Sequence, residues 1–187
     1  MLREAAHLFS AKGYMQTTVR DIAKAVGILS GSLFHHFESK EEILEAVMLE
    51  VSARNTERMQ QATLLASGPL GRVHALVRTE LDSIHGETGE AMTLLVSEWR
   101  SLSEAAQRRV LVQRDAYEAV WLDALREAHR ELMPMDPFIL RRLIQGMTAG
   151  SKHWYRARGP LTLDALASQI VSLVTRKESK RGRDARA

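Results

Sequence analysis

Three observations predict an all-α fold. Along most of the chain, apolar residues recur at the i, i+3, i+4, i+7 spacing of a helix with one buried face. Recognisable helix starts and stops interrupt that pattern: Ser, Thr or Asp before a run, and Gly or Gly-Pro after it. No stretch has the strict apolar–polar alternation of a half-buried strand. About nine helices and no strand are expected.

The first helix is expected over Leu2–Lys12, with Ala5, Ala6, Leu8 and Phe9 apolar and Gly13 as its stop. The second carries Val19, Ile22, Ala23 and Val26 on one face. Thr17 and Thr18 precede it, and their hydroxyls can accept from a free N–H of the first turn. Gly27 permits the left-handed backbone that ends a helix. A short third helix follows over about Leu29–His36, with Leu33 and Phe37 pointing back at the second. Two helices joined by a tight glycine turn form a helix-turn-helix, whose second helix enters the DNA major groove.

Ser39 with Glu42 reads as a capping box. It opens a long helix to about Leu65, the mechanical link to the rest of the chain. Gly68-Pro69 starts a helix ending near His85, and Gly86 and Gly89 bracket a turn. Helices are then expected over Ala91–Leu102, over Glu104–Leu132 with Ser103 as cap, and over Pro137–Tyr155 with Asp136 as cap. Thr162 caps a last helix ending near Thr175. The expected units are residues 1–47, a helix-turn-helix domain; 48–175, a larger helical domain; and 176–187, a basic tail without a packed structure.

Composition narrows the function classes. A chain of 187 residues, 45% hydrophobic and 26% charged, has ample length for a real core. It has no cysteine, which excludes disulfides and thiolate metal sites and fits a reducing cytoplasm. No apolar run reaches the ~18 residues of a membrane span, and the charged start MLREAAHLF is unlike a signal peptide. The net charge of +3 comes from the tail, while residues 1–47 hold five basic and six acidic side chains. Phosphate recognition therefore has to come from a few placed groups, not from a basic field. The sequence begins almost inside its first helix: either a preceding arm is absent or the start is truncated, so no minor-groove contact is assigned to an arm. No nucleophile–base–acid arrangement, glycine-rich phosphate loop or HExxH occurs, so an enzyme is not expected; His74 and His85 lack a third metal ligand at suitable spacing.

The stretch Ala5–Leu44, AAHLFSAKGYMQTTVRDIAKAVGILSGSLFHHFESKEEIL, resembles the DNA-binding domain of the TetR family of bacterial transcriptional regulators. The spacing runs unbroken for about forty residues, far more specific than a bare helix-turn-helix pattern. The resemblance implies an all-helical homodimer on a palindromic operator, with an effector cavity in the larger domain. The face of the recognition helix offers Ser30, Gly31, Ser32, His35 and His36 to the duplex, and by the resemblance Thr18 and Lys40 hold phosphates. Phe34 stands where the family often has a phosphate-binding tyrosine, and Ser30 where it often has a basic residue.

Trp99, Trp121 and Trp154 each lie on an apolar helical face; core packing and cavity lining are both open to them. With Met92, Tyr117 and Met147 they are the candidate effector contacts, the methionines giving pliable walls. The stretch His153–Val174 resembles repressors of fatty-acid and sterol breakdown in the same family. That resemblance implies an acyl-CoA or similar hydrophobic effector, whose phosphates would need cations. Arg141, Arg142, Arg156 and Arg158 are candidates, Arg156 foremost. Gly146, Ala149 and Gly150 form a small-residue patch on the eighth helix, which packs either on its own subunit or on a second one. The resemblance implies dimerisation through the last two long helices, which makes this patch, with Leu166, Ile170 and Leu173 of the last helix, the expected dimer interface. A regulator without an effector and a helical protein–protein adaptor are the competing readings.

Overall fold

The computed structural model describes residues 1–176. These contain nine α-helices: α1 Leu2–Lys12, α2 Val19–Ala25, α3 Ser30–Phe34, α4 Lys40–Leu65, α5 Gly68–His85, α6 Gly89–Ser97, α7 Glu104–Glu127, α8 Pro137–Gly150 and α9 Leu163–Val174. An isolated antiparallel bridge, Leu132 with Thr175, is the one β pairing among the described residues. The expected basic tail, Arg176 apart, lies outside them. Among the described residues no helix is long and apolar enough to cross a membrane.

The caps fall where the side chains allow. The Thr18 hydroxyl accepts from the Asp21 amide while the Asp21 carboxylate accepts from the Thr18 amide, a complete capping box at α2. Ser39 makes only half of the one expected at α4: its hydroxyl accepts from Glu42, but the Glu42 carboxylate takes the Glu38 amide instead, at 2.7 Å. Ser103, Asp136 and Thr162 cap α7, α8 and α9. Three helices end sooner than expected. α6 gives way to a 3-10 turn at Trp99–Ser101, and α8 to one at Ser151–His153, where the Ser151 hydroxyl donates to the Thr148 carbonyl at 2.6 Å. α7 stops at Glu127 because the chain beyond it pairs with the end of α9: Met133 N–H donates to Val174 and Arg176 N–H to Glu131, both at 2.8 Å.

Two cores hold the molecule. The first joins Phe9, Ile22, Leu33, Ile43, Leu44, Val47 and Met48 to Leu94, Leu102, Ala106 and Val110 of the α6–α7 region. The second gathers Met59, Leu76, Leu81, Trp121, Leu140, Ile144 and one side of α9. The boundary expected near Val47 falls inside α4, and the first core reaches across it. α4 runs through both cores and is the spine of the fold.

Candidate functional sites

The helix-turn-helix is held by polar groups turned inward. Gly27 has φ +73°, the left-handed turn that glycine tolerates without strain. Thr17 is fully buried and donates to the carbonyls of Gly13 (2.8 Å) and Leu8 (3.2 Å). Lys12 donates to Asp21 at 2.8 Å; that bond, with those from the Thr18 amide and hydroxyl, holds the Asp21 carboxyl well below the usual carboxylate range. Lys40 reaches back across the motif, donating to Tyr14 O at 2.7 Å and Met15 O at 3.3 Å, its ammonium 4.3 Å from the Tyr14 ring centre. The two groups expected to clamp phosphate are thus already engaged: the Thr18 hydroxyl with Asp21, and Lys40 with two of its three N–H donors.

What faces outward is the recognition helix. Gly31, Ser32, Phe34, His35 and His36 are exposed and Ser30 is half-buried. A Cβ added at Gly31 would meet nothing within 4 Å, so no packing within the chain requires glycine there. Glycine in a helix costs about 1 kcal/mol against alanine. Close approach of a duplex supplies a reason. Two candidates not foreseen from the sequence join this surface. Arg20 and Lys24 on α2 are exposed, and no partner for either side chain occurs among the described residues. Their i, i+4 spacing opposite Ile22 and Ala23 was the signal available.

A cavity of about 480 Å³ opens between α4, α5, α6, α7 and α8. Met92, Leu95, Ile84 and Ala149 give it apolar walls, and Tyr117 stands at its inner end. Its base is a buried ion cluster. The Glu80 carboxylate accepts from the Tyr117 hydroxyl (2.6 Å), from Arg141 Nη2 (2.9 Å) and from the Thr148 hydroxyl. The Arg141 side chain also lies 3.3 Å from Glu118 Oε2, with its guanidinium 4.3 Å from the Trp121 ring centre. Burial pushes the Tyr117 hydroxyl far above its ordinary pKa, and the Glu80 charge adds to it. Burial opposes the Arg141 charge, but Glu80, Tyr117 and Glu118 outweigh it and raise its pKa.

Asn55 of α4, fully buried, also lines the cavity; its Oδ1 accepts from Ser83 at 2.9 Å and its Nδ2 faces the Met92 sulfur, a weak acceptor. Arg114, Lys152 and His153 stand at the rim, all exposed. A second depression, of about 530 Å³ between α5 and α9, is open to solvent and lacks such a buried polar base.

The structure therefore brings Met92 and Tyr117 of the expected effector contacts to one cavity and leaves the others elsewhere. Trp121 lies beneath the base as the platform for Arg141. Trp99 packs on the first core and Met147 on the second. Trp154 is exposed against Tyr155, and Arg156 and Arg158 are exposed beyond α8. The expected arginine cluster is split, because Arg141 and Arg142 are both engaged with Glu118. Among the described residues, no group of three or more metal-ligating side chains is placed to hold an ion.

On the dimer candidates, Leu166 and Ile170 point into the chain's own second core, 6% and 4% exposed, and offer no surface to a partner. Leu173 faces outward. Ala149 belongs to the cavity wall. A Cβ at Gly146 or Gly150 would meet nothing, so packing within the subunit does not demand either glycine. With the exposed Ile139 and Leu143 they form one i, i+4, i+7, i+11 stripe along α8.

Residues 1–47 match the bacterial regulatory proteins of the tetR family, and residues 66–177 match the tetracyclin repressor-like C-terminal domain. The HTH-type transcriptional repressor KstR2 of Mycolicibacterium smegmatis is 33% identical over 178 residues, 93% of this chain and 86% of that protein. Its counterpart in Mycobacterium tuberculosis, a ketosteroid transcriptional regulator of solved structure, shares 28% identity at a TM-score of 0.76, over 94% of this chain and 93% of that one. The crystal structure of the superantigen PfiT matches at 50% identity and a TM-score of 0.84, over 95% of both chains. AibR, solved with isovaleryl coenzyme A and operator DNA, shares the fold at a TM-score of 0.80 and 22% identity, over 92% of this chain and 95% of that one.

Proposed function

The chain belongs to the TetR family of bacterial regulatory proteins, and from that premise we propose that it is a cytoplasmic, non-enzymatic repressor whose operator is released by an amphiphilic effector in the α4–α8 cavity. As a regulator of this family it binds operator DNA as a homodimer. One observation carries the coupling: α4 supplies Ile43, Leu44, Val47 and Met48 to the core beneath the helix-turn-helix, and Ser52 and Asn55 to the cavity. Leu44 and Asn55 lie about 16 Å apart along one rigid helix. A ligand that displaces the Asn55–Met92 wall bears on the same helix that positions α3. In a dimer, a small tilt of α4 changes the spacing of the two recognition helices, which must match successive turns of the duplex.

The effector class follows from the lining. Apolar walls and a charge-paired base accept an acyl or ring system, and the cations at the rim accept an anionic group. A volume of about 480 Å³ suits the apolar part alone, so the phosphates of an acyl-CoA would lie at the mouth, beside Arg114 and Lys152. Arg141 and Arg142 are already held by carboxylates and are not assigned to them. The isovaleryl coenzyme A bound by AibR and the ketosteroid regulator KstR2 support this class. The open cavity disfavours a regulator without an effector. The α8 stripe of Ile139, Leu143, Gly146 and Gly150, with Leu173 of α9, is assigned to the dimer.

The test is a mobility shift of the DNA flanking the chain's own gene, with and without a panel of acyl-CoAs and free acids. A specific complex dissolved by a thioester supports the reading; a complex indifferent to every thioester removes the effector class. A second reading, superantigen activity through a protein partner, is favoured by the 50% identity to PfiT. T-cell proliferation on adding the pure protein, with no specific DNA complex, would support it.

A further inference from the structure

The recognition helix begins on the wrong kind of residue. Leu29 is the N-cap of α3, and no side chain caps that helix. Ser, Thr, Asp or Asn there would satisfy one of the free N–H groups of the first turn. Leucine gives up that bond and gains no burial in return, since it is 81% exposed. It is not alone: Ile28 is 43% exposed and Phe34 53%, so the turn and the recognition helix carry an apolar patch. Nothing among the described residues covers it.

The patch lies on the turn and helix assigned to DNA, and that placement argues for the duplex as its occupant. In the major groove the 5-methyl of thymine is the apolar feature of the base edges, and apolar side chains recognise it. The free cations beside this surface, Arg20 and Lys24, lie on α2 and not on the recognition helix. Lys40 and Lys12 are bound within the motif, and Ser30 and Ser32 are neutral hydroxyls. Gly31 lets the backbone approach, bringing a neighbouring leucine within contact range of a methyl group.

We propose that Leu29 is a specificity-determining residue that reads the 5-methyl of thymine in each operator half-site, with Phe34 adding a second apolar contact. The inference rests on the DNA-binding reading above. The test uses full-length protein and duplexes enriched by it from a random library. Each thymine of the enriched site is replaced in turn by deoxyuracil, which removes only the methyl group. Wild-type affinity should fall about 4-fold at one or two positions per half-site, the value of one buried methyl. In Leu29→Ser that ratio should drop to about 1 at one of those positions, the thymine Leu29 reads, while the melting temperature holds or rises, because serine restores the cap. Leu29→Ala should lose the same methyl dependence without the cap.

Three results would overturn the proposal. The first is equal binding of thymine and deoxyuracil everywhere, and the second is a wild-type ratio kept by Leu29→Ser. The third is a concentration-dependent self-association that Leu29→Ser abolishes while methyl removal has no effect, which would give the patch to a second copy. In each of these cases DNA binding stands. Failure to enrich any sequence would remove the DNA-binding reading itself.

Discussion

The helix-turn-helix and the cavity are built from polar groups in opposite ways. In the first, hydroxyls, a carboxylate and two ammonium groups bind within the motif's own first forty residues: Thr18 to Asp21 and Thr17 to Gly13 within a turn, Lys12 to Asp21 from one helix to the next, and Lys40 back to Tyr14. They fix a shape and leave the outer face small, apolar and sparsely charged. In the second, the partners come from distant helices: Glu80 of α5, Tyr117 and Glu118 of α7, Arg141 and Thr148 of α8. They hold the helices at a set distance without filling the space between them. A module that presents one rigid face can be assembled locally, whereas a cavity needs long-range struts. The two are joined where Arg109 of α7 pairs with Glu45 of α4, and where the Glu41 carboxylate accepts from the Ser103 amide at 2.7 Å.

The largest break in that contrast is Arg141→Ala. It leaves the buried Glu80 charge with only two hydroxyls, and removing one partner of a buried pair costs about 3–5 kcal/mol. Thermal unfolding followed by circular dichroism should show a drop of about 6–20 °C. Gly27→Ala comes next. Its φ of +73° strains an alanine by about 1–2 kcal/mol. Titration should show weaker operator binding with effector affinity unchanged, because the strain stays in the local module.

How much of this the sequence carried follows from the same contrast. Gly27, the Thr18–Asp21 box and the caps at Ser103, Asp136 and Thr162 were legible, because each involves residues at most a few positions apart. The cavity was not. Met92 and Tyr117 stand out by their chemistry, but nothing local shows that Arg141 answers Glu80 across 61 positions, or that Trp121 is its platform. Leu166, Ile170 and Leu173 are equally apolar, and only the packing of α9 on the second core separates the buried pair from the outward one. Lys40 looks like a free cation until the turn after α1 folds beneath it.

Smaller effects sharpen the comparison. Arg20→Ala should weaken binding to all sequences alike and lower the slope of log affinity against log salt by about 0.9, one phosphate contact. An unchanged slope in anisotropy titrations would remove Arg20 from the interface. The smallest effect concerns His85, its ring packed at a tilt against Tyr155 and its Nε2 2.7 Å from the Ser151 hydroxyl. Burial, and then the Lys152 charge, lower its pKa. The unfolded chain therefore binds the proton more readily, and stability declines as pH falls below about 6.5 toward the depressed folded value. His85→Gln should flatten that part of the stability–pH curve; an unaltered curve would show that another group titrates there.

The central claim is that α4 links the cavity to the DNA-reading face. Its most direct measurement is a linkage square: operator affinity with and without saturating acyl-CoA, and acyl-CoA affinity with and without operator. The account predicts that each ligand weakens the other by the same factor, within about 5- to 150-fold. An acyl-CoA that binds tightly and leaves the operator dissociation constant unchanged would contradict it.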